Sequence, residues 1–74
     1  MIRFDAKALH AALDRQRVDR GLTWQQVADA TGVAVTTLTR TRQGGRLEVD
    51  GMLAMVNWLG RPVEDFVRRR GLQL

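Results

Sequence analysis

The stretch from Thr23 to Gly45 constrains the fold more than any other part of the chain. It contains two short runs with helical spacing, and Gly32 separates them. Because glycine has no Cβ, Gly32 can adopt the positive φ that a sharp turn between two helices needs. Gly44 and Gly45 end the second run. We therefore expect two short helices joined by a tight turn.

Helix start and stop signals also divide the rest of the chain, and no segment shows the sustained alternation typical of a strand. Asp5 suits a helix N-cap, and Thr23 with Gln26 suits a capping box. The third helix would begin after Ala34, which is a poor capping residue. These signals predict an all-α, compact five-helix domain with helices at residues 6–20, 23–31, 35–43, a fourth that starts after Glu48 or Asp50 and ends at residue 59, and a fifth at 62–70.

The length and the apolar content predict one domain, over residues 1–74, with a single small core. Ala28 is small enough to lie where two helices cross closely. The positions expected to face this core recur at helical spacing. They are Ala6, Leu9, Ala12, Leu13, Val27, Ala28, Thr31, Val33, Leu38, Thr41, Met52, Met55, Val56, Leu59, Val63, Phe66 and Val67.

Several classes of function have no support in the composition. The chain has no cysteine and one histidine, which excludes a disulfide framework and the usual zinc sites. We expect that histidine, His10, to be a surface residue. There is no nucleophile–base pair and no phosphate-binding glycine loop, so neither an enzyme nor a cofactor is expected. Without a long apolar run or a signal-peptide core, we expect a soluble cytoplasmic protein.

Positive charge is concentrated in the second half of the Thr23–Gly45 stretch and just after it. The chain carries a formal net charge of +4, and no acidic residue occurs between Asp29 and Glu48. Almost every outward position of the third helix is threonine, arginine or glutamine. Hydroxyl and guanidinium groups on one helix face suit a polyanion that also presents base edges, which indicates double-stranded DNA. The alternative is a basic protein whose exposed arginines are only solvated.

From Arg17 to Gly60 the chain resembles the Cro/C1-type helix-turn-helix family of phage repressors, also called XRE or lambda-repressor-like. The resemblance implies a lambda-repressor-like fold in which helices two and three form the helix-turn-helix. It also implies a sequence-specific DNA-binding transcription regulator of the repressor type, with helix three reading the major groove. The matching positions are Arg17, Gly21–Leu22, Val27–Ala28, Gly32–Val33, Thr37–Leu38, Gly44 and Leu59–Gly60.

The resemblance also implies roles for individual residues. Arg40 is the main candidate for specificity, because a guanidinium pairs with both acceptors of a guanine edge. The N-terminus of helix two suits a phosphate, although Trp24 stands where the family usually has glutamine. The base-reading set is Val35, Thr36, Thr39 and Arg40, and the phosphate-binding set is Trp24, Gln25, Gln26, Thr37, Arg42 and Arg46.

One position departs from the family pattern. The family often pairs the arginine at position 17 with an acid at position 42, but this chain has Arg42 there. Either Arg17 pairs with another acid, such as Asp14, or Arg42 turns towards DNA. We favour the second interpretation.

The predicted partner is a palindromic operator bound by two subunits. The free homodimer is expected to be weak and to be completed on DNA, with Trp58, Val63, Leu72 and Leu74 in its interface. One alternative is an antitoxin or accessory regulator of the same fold that also binds a protein. The other is an interaction module that has lost DNA binding.

Overall fold

The computed structural model describes residues 2–69, and helices account for most of them. This confirms the mainly helical prediction. No helix within residues 2–69 is both long enough and apolar enough to cross a membrane. In chain order the elements are β1 (Ile2–Phe4), α1 (Ala6–Asp19), α2 (Trp24–Thr31), α3 (Val35–Arg40), a 3-10 turn (Thr41–Gln43), α4 (Val49–Leu59), a second 3-10 turn (Val63–Phe66) and β2 (Val67–Arg69).

Side chains cap most of the helix starts. The Asp5 carboxylate accepts the Ala8 N–H at 2.9 Å, as predicted for α1. At the start of α2, Thr23 Oγ1 accepts from the Gln26 N–H at 3.1 Å, and Gln26 Oε1 accepts from the Thr23 N–H at 2.8 Å. The capping box is therefore confirmed. Ala34 provides no side-chain cap for α3, also as predicted.

The turn between α2 and α3 is held by glycine and by one threonine. Gly32 has φ 77°, and its N–H donates to the Ala28 carbonyl at 2.8 Å. Thr31 Oγ1 donates to the Val27 carbonyl at 2.8 Å and accepts from the Val33 N–H at 3.2 Å. The hydroxyl of Thr31 thus joins the last turn of α2 to the chain that leads into α3.

The predicted fifth helix, over residues 62–70, is wrong for the part that the structure describes. Residues 63–66 form one 3-10 turn, and β2 then pairs with β1 in an antiparallel two-stranded sheet. Phe66 is buried in the core, and its carbonyl accepts from the Asp5 N–H at 2.6 Å. This bond connects the chain at Phe66 to the start of α1, and residues 67–69 are extended rather than helical.

The core lies between α1, α2, α3 and α4, and Phe66 closes it. Thr41 is also fully buried, as predicted from its position one turn beyond Leu38. Met52, Leu59 and Val63 are half-buried at the edge of the core. The buried apolar residues are Ala6, Leu9, Leu13, Val27, Ala28, Val33, Leu38, Met55, Val56 and Phe66, all of which were predicted.

Candidate nucleic-acid interface

The outer face of α3 carries the residues predicted to read bases. Thr36, Thr39 and Arg40 are exposed, and Val35 is half-buried. Leu38, on the opposite side of the helix, is fully buried and fixes the rotation of α3. Thr39 and Arg40 lie three and four positions after Thr36, so both are neighbours of Thr36 on the helix surface.

The hydroxyl of Thr39 is already engaged as a donor. Thr39 Oγ1 donates to the carbonyls of Val35 at 3.1 Å and Thr36 at 3.2 Å. A hydroxyl has one hydrogen, so Thr39 presents only an acceptor oxygen and a methyl group to a ligand. Arg40 presents only donors. The exposed face therefore offers both kinds of hydrogen-bonding partner that base edges require.

The first turn of α2 exposes two amide side chains. Gln26 uses its Oε1 in the capping box, which leaves its NH₂ group as the outward donor. Gln25 Nε2 donates one hydrogen bond to Asp29 Oδ1 at 3.2 Å, and its second N–H can donate to a ligand. The N–H of Gln26 is occupied by Thr23, whereas the N–H groups of Trp24 and Gln25 have no intrahelical acceptor because they lie in the first turn.

Trp24 is half-buried and packs against two residues of α1. Its ring stacks on His10 with centroids 5.3 Å apart, and the Arg17 guanidinium lies 4.9 Å from the Trp24 centroid. Arg17 also donates to Asp14 at 2.7 Å and to the Leu22 carbonyl at 3.0 Å. Arg17 therefore pairs with Asp14, the first of the two interpretations considered. The indole contact to phosphate stays a prediction.

The expectation that His10 is a surface residue is wrong. His10 is half-buried, and its Nδ1 lies 2.9 Å from Thr41 Oγ1. Thr41 Oγ1 donates its only hydrogen to the Leu38 carbonyl at 2.6 Å. His10 Nδ1 must therefore be the donor to Thr41, which joins α1 to the end of α3. His10 follows Leu9, a predicted core residue of α1, and this position could have indicated that the histidine borders the core.

The segment after α3 continues the basic surface. Arg42 and Arg46 are exposed, on either side of the Gly44–Gly45 pair. Thr37, also predicted to bind phosphate, is half-buried and lines a groove with Glu48 and Asp50. These two carboxylates would repel an anion in that groove. Arg42 and Arg46 are therefore better placed for phosphate than Thr37, whose role stays a prediction.

The predicted dimer surface is described only in part. Trp58 is half-buried, with the Arg20 guanidinium 5.3 Å from its ring centroid, and its carbonyl accepts from Gln16 Nε2 at 3.0 Å. Val63 is half-buried on the second 3-10 turn. Leu72 and Leu74 lie outside the described residues. The role of all four in a dimer stays a prediction.

The candidate interface is thus a surface of three parts: the first turn of α2, the outer face of α3 and the basic segment that follows it. Its groups are mainly hydrogen-bond donors and fixed positive charges, with Asp29 at one margin. No family model, curated protein or solved structure matches this chain.

Proposed function

We propose that this protein binds specific sequences of double-stranded DNA and acts as a transcription regulator of the repressor type. The observation that carries the proposal is the outer face of α3, where Thr36, Thr39 and Arg40 are exposed together. No acidic residue occurs from position 30 to position 47. An α-helix fits the major groove, where the four base pairs present different donors and acceptors.

In this proposal α2 and α3 act as a helix-turn-helix of the Cro/C1 type, and α3 lies in the major groove. Arg40 donates both of its forked N–H groups to O6 and N7 of a guanine. Thr39 accepts from an exocyclic amine or packs its methyl group on a thymine methyl. Val35 and Thr36 contact neighbouring bases at the same end of the groove.

Phosphate contacts on both sides of α3 fix its position relative to the base pairs. Arg42 and Arg46 bind the backbone beyond the end of α3. The free N–H groups at the start of α2, helped by the NH₂ of Gln26, bind a phosphate on the other side. These contacts carry no sequence information, so they raise affinity for every duplex alike.

The active form is a homodimer on a palindromic operator. A single short helix reads too few base pairs to find one site in a genome. Two subunits would place their copies of α3 about one DNA turn, roughly 34 Å, apart.

A specific observation supports the alternative of an antitoxin or accessory regulator that also binds a protein. Val49 and Leu53 lie one turn apart on α4 and are 61% and 50% exposed. Exposed apolar side chains at this spacing suit an apolar partner surface. This second function would coexist with DNA binding, since both residues lie on α4 and the proposed base-reading face lies on α3.

The test begins with selection of bound duplexes from a random DNA pool. Arg40→Ala and Arg46→Ala are then compared with the wild type on the selected duplex and on a scrambled one. Arg40→Ala should lose about 1–3 kcal/mol on the selected duplex only, because it removes base contacts. Arg46→Ala should weaken both duplexes equally. Equal weakening of both duplexes by Arg40→Ala would refute its assignment to base reading.

A further inference from the structure

A basic cleft lies beside the segment that follows α3. It has a volume of about 410 Å³, and its walls come from β1, the start of α1, β2 and the Gln43–Gly45 turn. Within residues 2–69, three cationic side chains line it, and Asp5 is the single carboxylate among its lining residues. The three cations are Arg3, Lys7 and Arg68, all exposed. None of the three belongs to the interface described above.

The sheet places two of these cations directly opposite each other. Arg3 of β1 pairs with Arg68 of β2 in the antiparallel register. Side chains of directly opposite residues lie on the same face of a sheet, and like charges in this position destabilise it. Arg68 is compensated by Asp5, with Nε and Oδ2 3.3 Å apart. Because Asp5 is already paired with Arg68, the described part of the cleft holds no second carboxylate for Arg3.

The glycine turn positions the third cation. Gly44 has φ 80° and ψ −161°, a conformation that is essentially restricted to glycine. The Lys7 side chain lies across this glycine, with its Cε 3.3 Å from where a Cβ on Gly44 would be. A Cβ at position 44 would therefore push the Lys7 side chain away by a few tenths of an ångström. The turn thus brings an α1 ammonium group next to the chain that carries Arg42 and Arg46.

We propose that Arg3 and Lys7 bind a phosphodiester of the DNA backbone next to the base pairs that α3 reads. The inference rests on the proposed function, and it adds a third phosphate-binding region to α2 and to the segment after α3. A phosphodiester is the anion that fits, because residues 43–45 line the cleft and Arg42 and Arg46 flank these residues in the chain, so the backbone that Arg42 and Arg46 bind would continue past the cleft. The bound phosphate would also offset the repulsion between Arg3 and Arg68.

The test measures how affinity for duplex DNA depends on salt concentration. Arg3→Gln and Lys7→Gln each remove one charge from the cleft. Arg15→Gln is the matched control, because Arg15 is an exposed cation on the same helix as Lys7, two turns away, with only a surface pair to Asp19. The probe is the duplex recovered by selection, extended by one helical turn at each end so that flanking phosphates are present.

Each cleft variant should reduce the log–log salt slope by at most about 0.9 per subunit, or about 1.8 for two subunits on one duplex, because both side chains contact the same phosphate. Their preference for the selected duplex over a scrambled one should not change, because phosphates carry no base information. Lys7→Arg should keep the wild-type slope, and Arg15→Gln should match the wild type throughout. The melting temperature of Arg3→Gln should equal or exceed that of the wild type, since the substitution removes a like-charge pair.

The cleft proposal would be overturned if Arg3→Gln and Lys7→Gln had the same log–log salt slope as Arg15→Gln. If Arg40→Ala still lost its preference for the selected duplex over the scrambled one in that case, the proposed DNA-binding function would be retained without the cleft. Failure of the wild type to bind the duplex at low salt would overturn both. A lowered melting temperature of Arg3→Gln would contradict the argument from repulsion in the sheet.

Discussion

At the scale of single residues, Thr41 shows how a buried hydroxyl positions the proposed base-reading helix. It donates to the Leu38 carbonyl and accepts from His10, so one oxygen joins the end of α3 to α1. His10 in turn stacks on Trp24 at the start of α2. Three helices therefore meet at one contiguous set of side chains, directly behind the exposed face of α3.

Thr41→Val tests this role, with Thr39→Val as its matched control. Valine has nearly the shape of threonine, so Thr41→Val keeps the packing but removes the closer acceptor of the His10 N–H, which leaves only the Leu38 carbonyl at 3.4 Å. We expect a loss of about 1–2 kcal/mol in the free energy of unfolding, measured with urea. Thr39→Val removes a hydroxyl that also bonds within α3 but is exposed, and its effect should stay within about 0.5 kcal/mol. Equal effects of the two substitutions would contradict a special role for Thr41.

At the scale of elements, α2 and α3 differ in how firmly their first turns are held. A complete capping box closes the start of α2, whereas Ala34 gives α3 no side-chain cap. The backbone of Ala34 nevertheless has the extended geometry of an N-cap, with φ −62° and ψ 147°. The first turn of α3, which carries Val35 and Thr36, is therefore held by backbone bonds to the Ala34 carbonyl and by packing, without a side-chain cap.

Ala34→Ser should stabilise the protein, because serine at this position can accept an N–H from the first turn of α3. The expected gain is about 1 kcal/mol in the free energy of unfolding. Ala30→Ser is the control, because Ala30 is exposed inside α2 and serine there should be slightly destabilising. Urea denaturation of both variants decides the matter. A loss of stability in Ala34→Ser would contradict the capping argument.

The helices could be predicted from the sequence because their determinants are local. Asp5, Thr23 and Gly32 act within three or four residues of where they stand, so their caps and turn are visible in the sequence. The sheet could not be predicted, since each strand has three residues and depends on a contact between Asp5 and Phe66, 61 positions apart. His10 was missed for the same reason, because its partner Thr41 lies 31 positions away.

At the scale of the whole molecule, a small core leaves several apolar side chains at the surface. Trp58 and Val63 are only half-buried. Ile2, Val18, Val49 and Leu53 are at least half exposed. A chain of this length buries a limited share of its surface, so a second subunit would add to its stability. The proposed dimer uses the end of α4 and the residues after it for this purpose.

Sedimentation should show two subunits on a palindromic duplex and a weaker association of the free protein. Removal of residues 71–74 together with Trp58→Ala should leave one subunit per duplex, because both changes lie in the proposed interface. Val18→Gln, which changes an exposed apolar residue of α1, should keep the two-to-one complex. Thermal melting confirms that each variant is folded. An unchanged stoichiometry in the first variant would refute this surface.

The most direct measurement of the central claim is a titration of duplex DNA with the wild-type protein at two or more salt concentrations. If a dimer neutralises three phosphates per subunit, the log–log slope should be about −5, and steeper if the cleft at Arg3 and Lys7 also contributes. Arg42 and Arg46, with no acid from position 30 to position 47, are the reason for this expectation. Binding that is absent at low salt, or a flat response to salt, would contradict the account and favour an interaction module without DNA binding.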